Sequence, residues 1–204
     1  MFGLKYDEPP EIRYEEHDVF CKDGGKIQVW VCTYPPCKTE GRVVIINHGH
    51  TYGAGSNYIK QLCYDTNMAG FQAVVHVRRG IESNDLTTPK FMNINHKDDF
   101  KASMKYINER FNNPDLYGIG LSMGANYLCH YAGSTMDKCP FKAIVCMATP
   151  FELNMVTDGL KAPGNGLCNL GLLDGCKDIV LNNYDILKEH EEELGYDVDA
   201  ALNS

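Results

Sequence analysis

Hydrophobic and polar positions along this chain fall into alternating strand-like and helix-like stretches. IRYEEHDVF (12–20) and IQVWVCT (27–33) have strand composition, and KDGGK between them is a hairpin turn. Val43-Val44-Ile45-Ile46 is instead an unbroken β-branched run, the mark of a strand buried on both faces of a parallel sheet. FQAVVHV (71–77) repeats that character. Between the two runs, SNYIKQLCYDTNMA (56–69) reads as a helix, with Ser56 as N-cap and Gly70 as stop. In KDDFKASMKYINERF (97–111), Phe100, Met104, Ile107 and Phe111 form one apolar stripe at helical spacing. Leu116 to Gly120 is a short strand, 125–132 a helix and KAIVCM (142–147) the next strand. The order β-α-β-α-β-α-β over 42–147 predicts an α/β fold with a mostly parallel sheet, right-handed crossovers and helices on both faces. Beyond residue 151 the pattern weakens. GLKAPGNGLCNLGLLDG is rich in Gly and Leu, NNYDILKEHEEELGY is charged and helical, and neither a second domain nor a repeat is expected.

Composition narrows the chemistry. The 204 residues are 44% hydrophobic, enough for one domain with a core. The net charge is −8 and no basic run occurs, which argues against nucleic acid and against electrostatic docking on anionic lipid. A neutral, lipid-like substrate or peripheral membrane contact remains compatible with that charge. No apolar run approaches the roughly 20 residues that span a bilayer. MFGLKYDEPPEIRYEE lacks the apolar centre of a secretory signal. The nine cysteines are odd in number and form no C-x-x-C pair. An intracellular chain, cytoplasmic or peripherally attached to membrane, is therefore expected, with a Cys37–Cys63 or Cys168–Cys176 bridge left open.

The chemistry centres on LYGIGLSMGANYL (116–128), which carries Gly120-x-Ser122-x-Gly124 between an expected strand and an expected helix. A serine on so sharp a turn needs small neighbours, which Gly120 and Gly124 supply. The helix starting at Met123 directs its free N–H groups and positive dipole end at the hydroxyl. The Met123 N–H is one candidate oxyanion donor. The second should come from the loop after an earlier strand, where His48-Gly49-His50-Thr51 lies and the N–H of His50 or Thr51 could face Ser122. The side chains of His48 and His50 read as structural.

A serine also needs a base. His130 is eight residues on in the same helix, ~12 Å along its axis and out of reach. His190, in KEHEEELG, is the candidate base within this chain, with Asp174, Asp178 or Asp185 as its acid. His76 reads as a core histidine, and His96 as a possible helix cap. No H-E-x-x-H and no phosphate-binding loop occurs, so neither metal nor cofactor is expected.

On these segments the chain resembles the α/β-hydrolase superfamily and, within it, AB hydrolase family 4, the branch of medium-chain esterases, monoacylglycerol lipases and phospholipases. The resemblance runs through INHGHTYGAGSNYIKQLCYDTNMAGFQAVVHVRRG, LTTPKFMNINHKDDFKASMKYINERF, LYGIGLSMGANYL and ATPFEL, most of residues 42–153. It implies the α/β-hydrolase fold and a serine carboxylic ester hydrolase acting on medium-chain or lipid acyl esters. Ser122 would be the nucleophile, and residue 50 with Met123 the oxyanion donors. Residues 1–150 would be the N-terminal part of the core, and 151–204 the start of a lid over the acyl pocket. The family carries its acid and base on two further strands, about 60 residues that this chain lacks. It is therefore expected to be truncated at its C-terminus, and a catalytically inactive remnant that binds lipid or protein stands as the alternative to an active esterase.

Overall fold

In the computed structural model the described residues are 10–91 and 97–203. Six strands form one sheet: β1 (Arg13–Phe20), β2 (Lys26–Tyr34), β3 (Arg42–Asn47), β4 (Gln72–Val77), β5 (Asp115–Leu121) and β6 (Phe141–Met147). Their spatial order is β1-β2-β4-β3-β5-β6. The β3–β4, β3–β5 and β5–β6 pairs are parallel, whereas β1–β2 and β2–β4 are antiparallel. The crossovers are α1 (Asn57–Met68), α2 (Lys97–Arg110) and α3 (Met123–Thr135). His96 lies outside the described residues.

The apolar runs become the centre of the sheet because successive side chains enter opposite layers. Val43 and Ile45 join Val29, Val31 and Val74 against Phe100, Met104 and Ile107 of α2 and Leu128 of α3. Val44 and Ile46 join Trp30, Val75 and Val77 against Ile59 and Cys63 of α1. The expected stripe on α2 is thus the face it buries. Ser56 occupies the N-cap position of α1, but its hydroxyl donates back to the Gly53 carbonyl (2.8 Å) instead of capping the helix.

The hairpin turn, the end of β4 and the start of α2 are tied by one buried cation. Arg79 donates to both carboxylate oxygens of Asp99 (2.6 and 2.7 Å) and of Asp23 (2.8 and 2.9 Å). Gly25 is required here, since a Cβ would overlap that guanidinium.

Past residue 151 the chain is more regular than its pattern announces. It forms α4 (Leu153–Lys161), α5 (Gly166–Asn182), α6 (Tyr184–Glu189), α7 (Glu191–Leu194) and α8 (Val198–Asn203). Neither α4 nor α5 has a buried residue, and α5 lacks the amphipathic stripe that betrays α2. The block is fastened by Leu187 and Val198 packing on Leu86 and by the buried Asn183. Asn183 accepts the Leu86 N–H (3.0 Å) and donates to the Gly80 carbonyl (3.2 Å). β6 is a sheet edge with Val145 and Met147 exposed.

Candidate active site

Ser122 sits between the last residue of β5 and the first of α3, at φ 52° and ψ −117°. Only glycine visits this region without strain, which costs an L-residue on the order of 1–3 kcal/mol. The surroundings over-determine it. The Ser122 N–H donates to the Met147 carbonyl on β6 (2.8 Å), and the Ser122 carbonyl accepts from Ala125 (3.0 Å) and Asn126 (3.1 Å) as α3 begins. A Cβ on Gly120 would lie 2.6 Å from Ala125 Cα, and one on Gly124 would overlap the Asn47 carbonyl. The absence of a Cβ at Gly120 lets α3 fold back on β5, and at Gly124 it lets α3 press on the end of β3.

The loop after β3 meets this turn from the other side. The His50 Nδ1 lies 3.2 Å from Met123 Sδ, and its Nε2 lies 3.2 Å from Cys176 Sγ on α5. Burial, then the nearby Arg78, lowers the His50 pKa, and burial raises that of the Cys176 thiol. Both shifts favour a neutral pair. His50 and Cys176 line a pocket of about 180 Å³ together with Arg79, Ile81, Phe91, Ile179 and Val180.

Three other histidines, His48, His76 and His190, are engaged elsewhere. His48 is fully buried beside Arg78, and burial holds its pKa well below the usual histidine value. His76 bonds Ser103 Oγ through Nδ1 (2.7 Å) and packs edge-on against Phe100. His190 follows α6, and its Nδ1 meets the Ile186 carbonyl at 3.0 Å. Among the described residues no histidine ring is hydrogen-bonded to Ser122, His190 included. Among the same residues no three His, Cys, Asp or Glu side chains are grouped to hold a metal ion. No helix among them is long and apolar enough to cross a membrane.

One buried residue of the site escaped sequence reasoning. Arg78, at the end of β4, donates to the carbonyls of His48 (2.8 Å), Gly49 and His50 (3.1 Å). Arg78 and Arg79 are adjacent and equally buried, so the dipeptide carries no signal of which one faces the loop.

With this geometry in place the similarities can be read. No family model matches the chain. The embryogenesis-associated protein EMB8 of Picea glauca is 29% identical over 75% of this chain and 35% of its own length. The monoacylglycerol lipase of Saccharomyces cerevisiae is 29% identical over 54% of this chain and 25% of its own. Phospholipase ABHD3 of Bos taurus is 23% identical over 86% of this chain and 44% of its own. The solved esterase Pf2001 of Pyrococcus furiosus superposes with a TM-score of 0.58 at 18% identity, over 79% of this chain and 63% of that one. The chain belongs to the α/β-hydrolase superfamily. Its relatives include proteins named as lipases and an esterase. The chain spans less than half the length of each of these three curated relatives.

Proposed function

We propose that the protein is a serine ester hydrolase acting on medium-chain or lipid acyl esters, with Ser122 as nucleophile. The observation that carries this reading is the strained Ser122 backbone at a strand–helix turn, with the His48–His50 loop packed against Met123. A serine would not be held at φ 52° for packing alone, since glycine fits that conformation at lower cost. Ser122 Oγ would attack the acyl carbon, and the N–H groups of His50 and Met123 would hold the developing oxyanion. Collapse would break the ester C–O bond, the leaving alcohol taking up the proton that Ser122 gives up, and the acyl-serine would be hydrolysed by water to the acid, returning a proton to Ser122. The monoacylglycerol lipase and phospholipase among the relatives support lipid acyl esters as substrate class. Residues 151–203 would form part of the cover over the acyl pocket, with Phe151, Leu153 and Met155 exposed on it.

A second reading, a non-catalytic module that binds lipid or protein, is favoured by the lack of a histidine bonded to Ser122 among the described residues. A fluorophosphonate probe and a panel of p-nitrophenyl esters separate the two. Labelling and turnover that both vanish in Ser122→Ala support the esterase. A folded protein that does neither supports the binding module.

A further inference from the structure

We propose that Arg78 is a positioning residue that sets the oxyanion loop from behind; this rests on the reading of Ser122 as nucleophile. Arg78 is 2% exposed, and among the described residues it has no carboxylate partner. That contrasts with Arg79 beside it, which is equally buried but bonded to Asp23 and Asp99. An unpaired buried cation is costly unless dipoles replace its water. Here the dipoles are three successive carbonyls, of His48, Gly49 and His50.

Those carbonyls fix more than the charge. In a trans peptide the C=O and the following N–H point in opposite directions. Turning the three carbonyls onto Arg78 therefore turns the N–H groups of Gly49, His50 and Thr51 away from it. The Gly49 N–H is taken by the Tyr58 hydroxyl (3.1 Å). The N–H groups of His50 and Thr51 have no acceptor among the described residues. They belong to the segment that packs on Met123, so the loop offers two oriented, unspent donors beside the Ser122 turn. A donor held this way needs no reorganisation when charge develops on substrate. The planar fork of arginine can reach several carbonyls at once, which an ammonium matches poorly.

The test compares wild type with Arg78→Met, Arg78→Lys and Arg78→Ala in the presence of methylguanidinium. Two quantities are read: the second-order rate of fluorophosphonate labelling at Ser122, and the 15N order parameters of residues 49–51. Losing one oxyanion donor lowers rate by about 10²–10³-fold, and Arg78→Met should slow labelling on that order. Arg78→Lys should be intermediate, and methylguanidinium should restore part of the rate to Arg78→Ala. Order parameters at 49–51 should fall below about 0.6 in Arg78→Met while those of β3 stay near 0.85. Labelling at the wild-type rate, or unchanged order at 49–51, overturns the proposal. If wild type itself resists labelling, the nucleophile reading fails, and the order parameters alone still decide whether Arg78 sets the loop. If Arg78→Met does not fold, the lysine and rescued alanine variants carry the same comparison.

Discussion

His50 Nδ1 and Met123 Sδ meet at 3.2 Å across 73 residues of sequence. This contact joins the two segments whose backbone N–H groups would serve Ser122. It forms because β3 and β5 are parallel neighbours whose carboxyl ends finish side by side, with Asn47 opposite Gly120. Ligand sites of open α/β sheets collect at such strand ends.

Ser122→Gly should stabilise the protein by about 1 kcal/mol, because glycine adopts φ 52° without strain. Ser122→Ala keeps the Cβ and should change stability little. Both should abolish fluorophosphonate labelling. Urea midpoints that rank the alanine variant above the glycine variant would contradict strain at this turn.

Gly124→Ala should cost about 1–3 kcal/mol or more, since the new methyl overlaps the Asn47 carbonyl and lies 2.5 Å from that of His48. These are backbone atoms at the end of a central strand and just past it, and they cannot step aside like a flexible side chain. Chemical denaturation checks the size. A variant as stable as wild type would mean that α3 does not press on β3 as described.

Arg79→Met should lose about 3–5 kcal/mol, because it strands Asp99 as a buried, unpaired carboxylate. Adding Asp99→Asn should recover part of that loss. The recovery is measured by a double-mutant cycle, and strict additivity would refute the pairing. Hydrogen bonds from Arg79 also hold Asp23 down at about 2. That contribution is present above the unfolded carboxylate value near 4 and fades as pH falls towards 2.

Mild acid should destabilise the fold before the carboxylates titrate. Burial, reinforced by the charge of Arg78, pushes His76 down to about 3 and His48 well below its ordinary value. The unfolded chain takes up these protons below about pH 6.5, whereas folded His76 stays neutral until about 3. Stability is therefore full above 6.5 and declines as pH falls between those limits. Each such histidine contributes a slope of up to about 1.4 kcal/mol per pH unit. His76→Gln should flatten the stability profile between pH 6 and 4, and an unchanged slope would place the acid sensitivity elsewhere.

Asn183→Ala should loosen the C-terminal helices. It deprives the Leu86 N–H and the Gly80 carbonyl of their partner in a buried place, at about 1–3 kcal/mol for each group left unpaired. Limited proteolysis should then cut residues 151–203 sooner than the sheet. Equal cutting rates in wild type and variant would mean that Asn183 is not the fastening.

The sequence by itself determined the sheet, its crossovers and the strand–helix turn at Ser122. Those features rest on local rules: β-branched runs for β3 and β4, a 3.6-residue stripe on α2, and two glycines that frame Ser122. Sequence left the helices after residue 151 indistinct, because α5, the longest of them, shows no periodic face and α4 is a short helix that buries no residue. Tertiary structure alone decided the partners. Arg78 and Arg79 are the same residue type at adjacent positions, yet one faces three carbonyls and the other two carboxylates. Both lie just past the end of β4, where the chain turns, and what each side chain meets comes from segments distant in the chain. His190 is instead engaged locally, by the Ile186 carbonyl of its own helix. Spacing can nominate a nucleophile, because its turn is local, but a base is chosen by where separate elements pack.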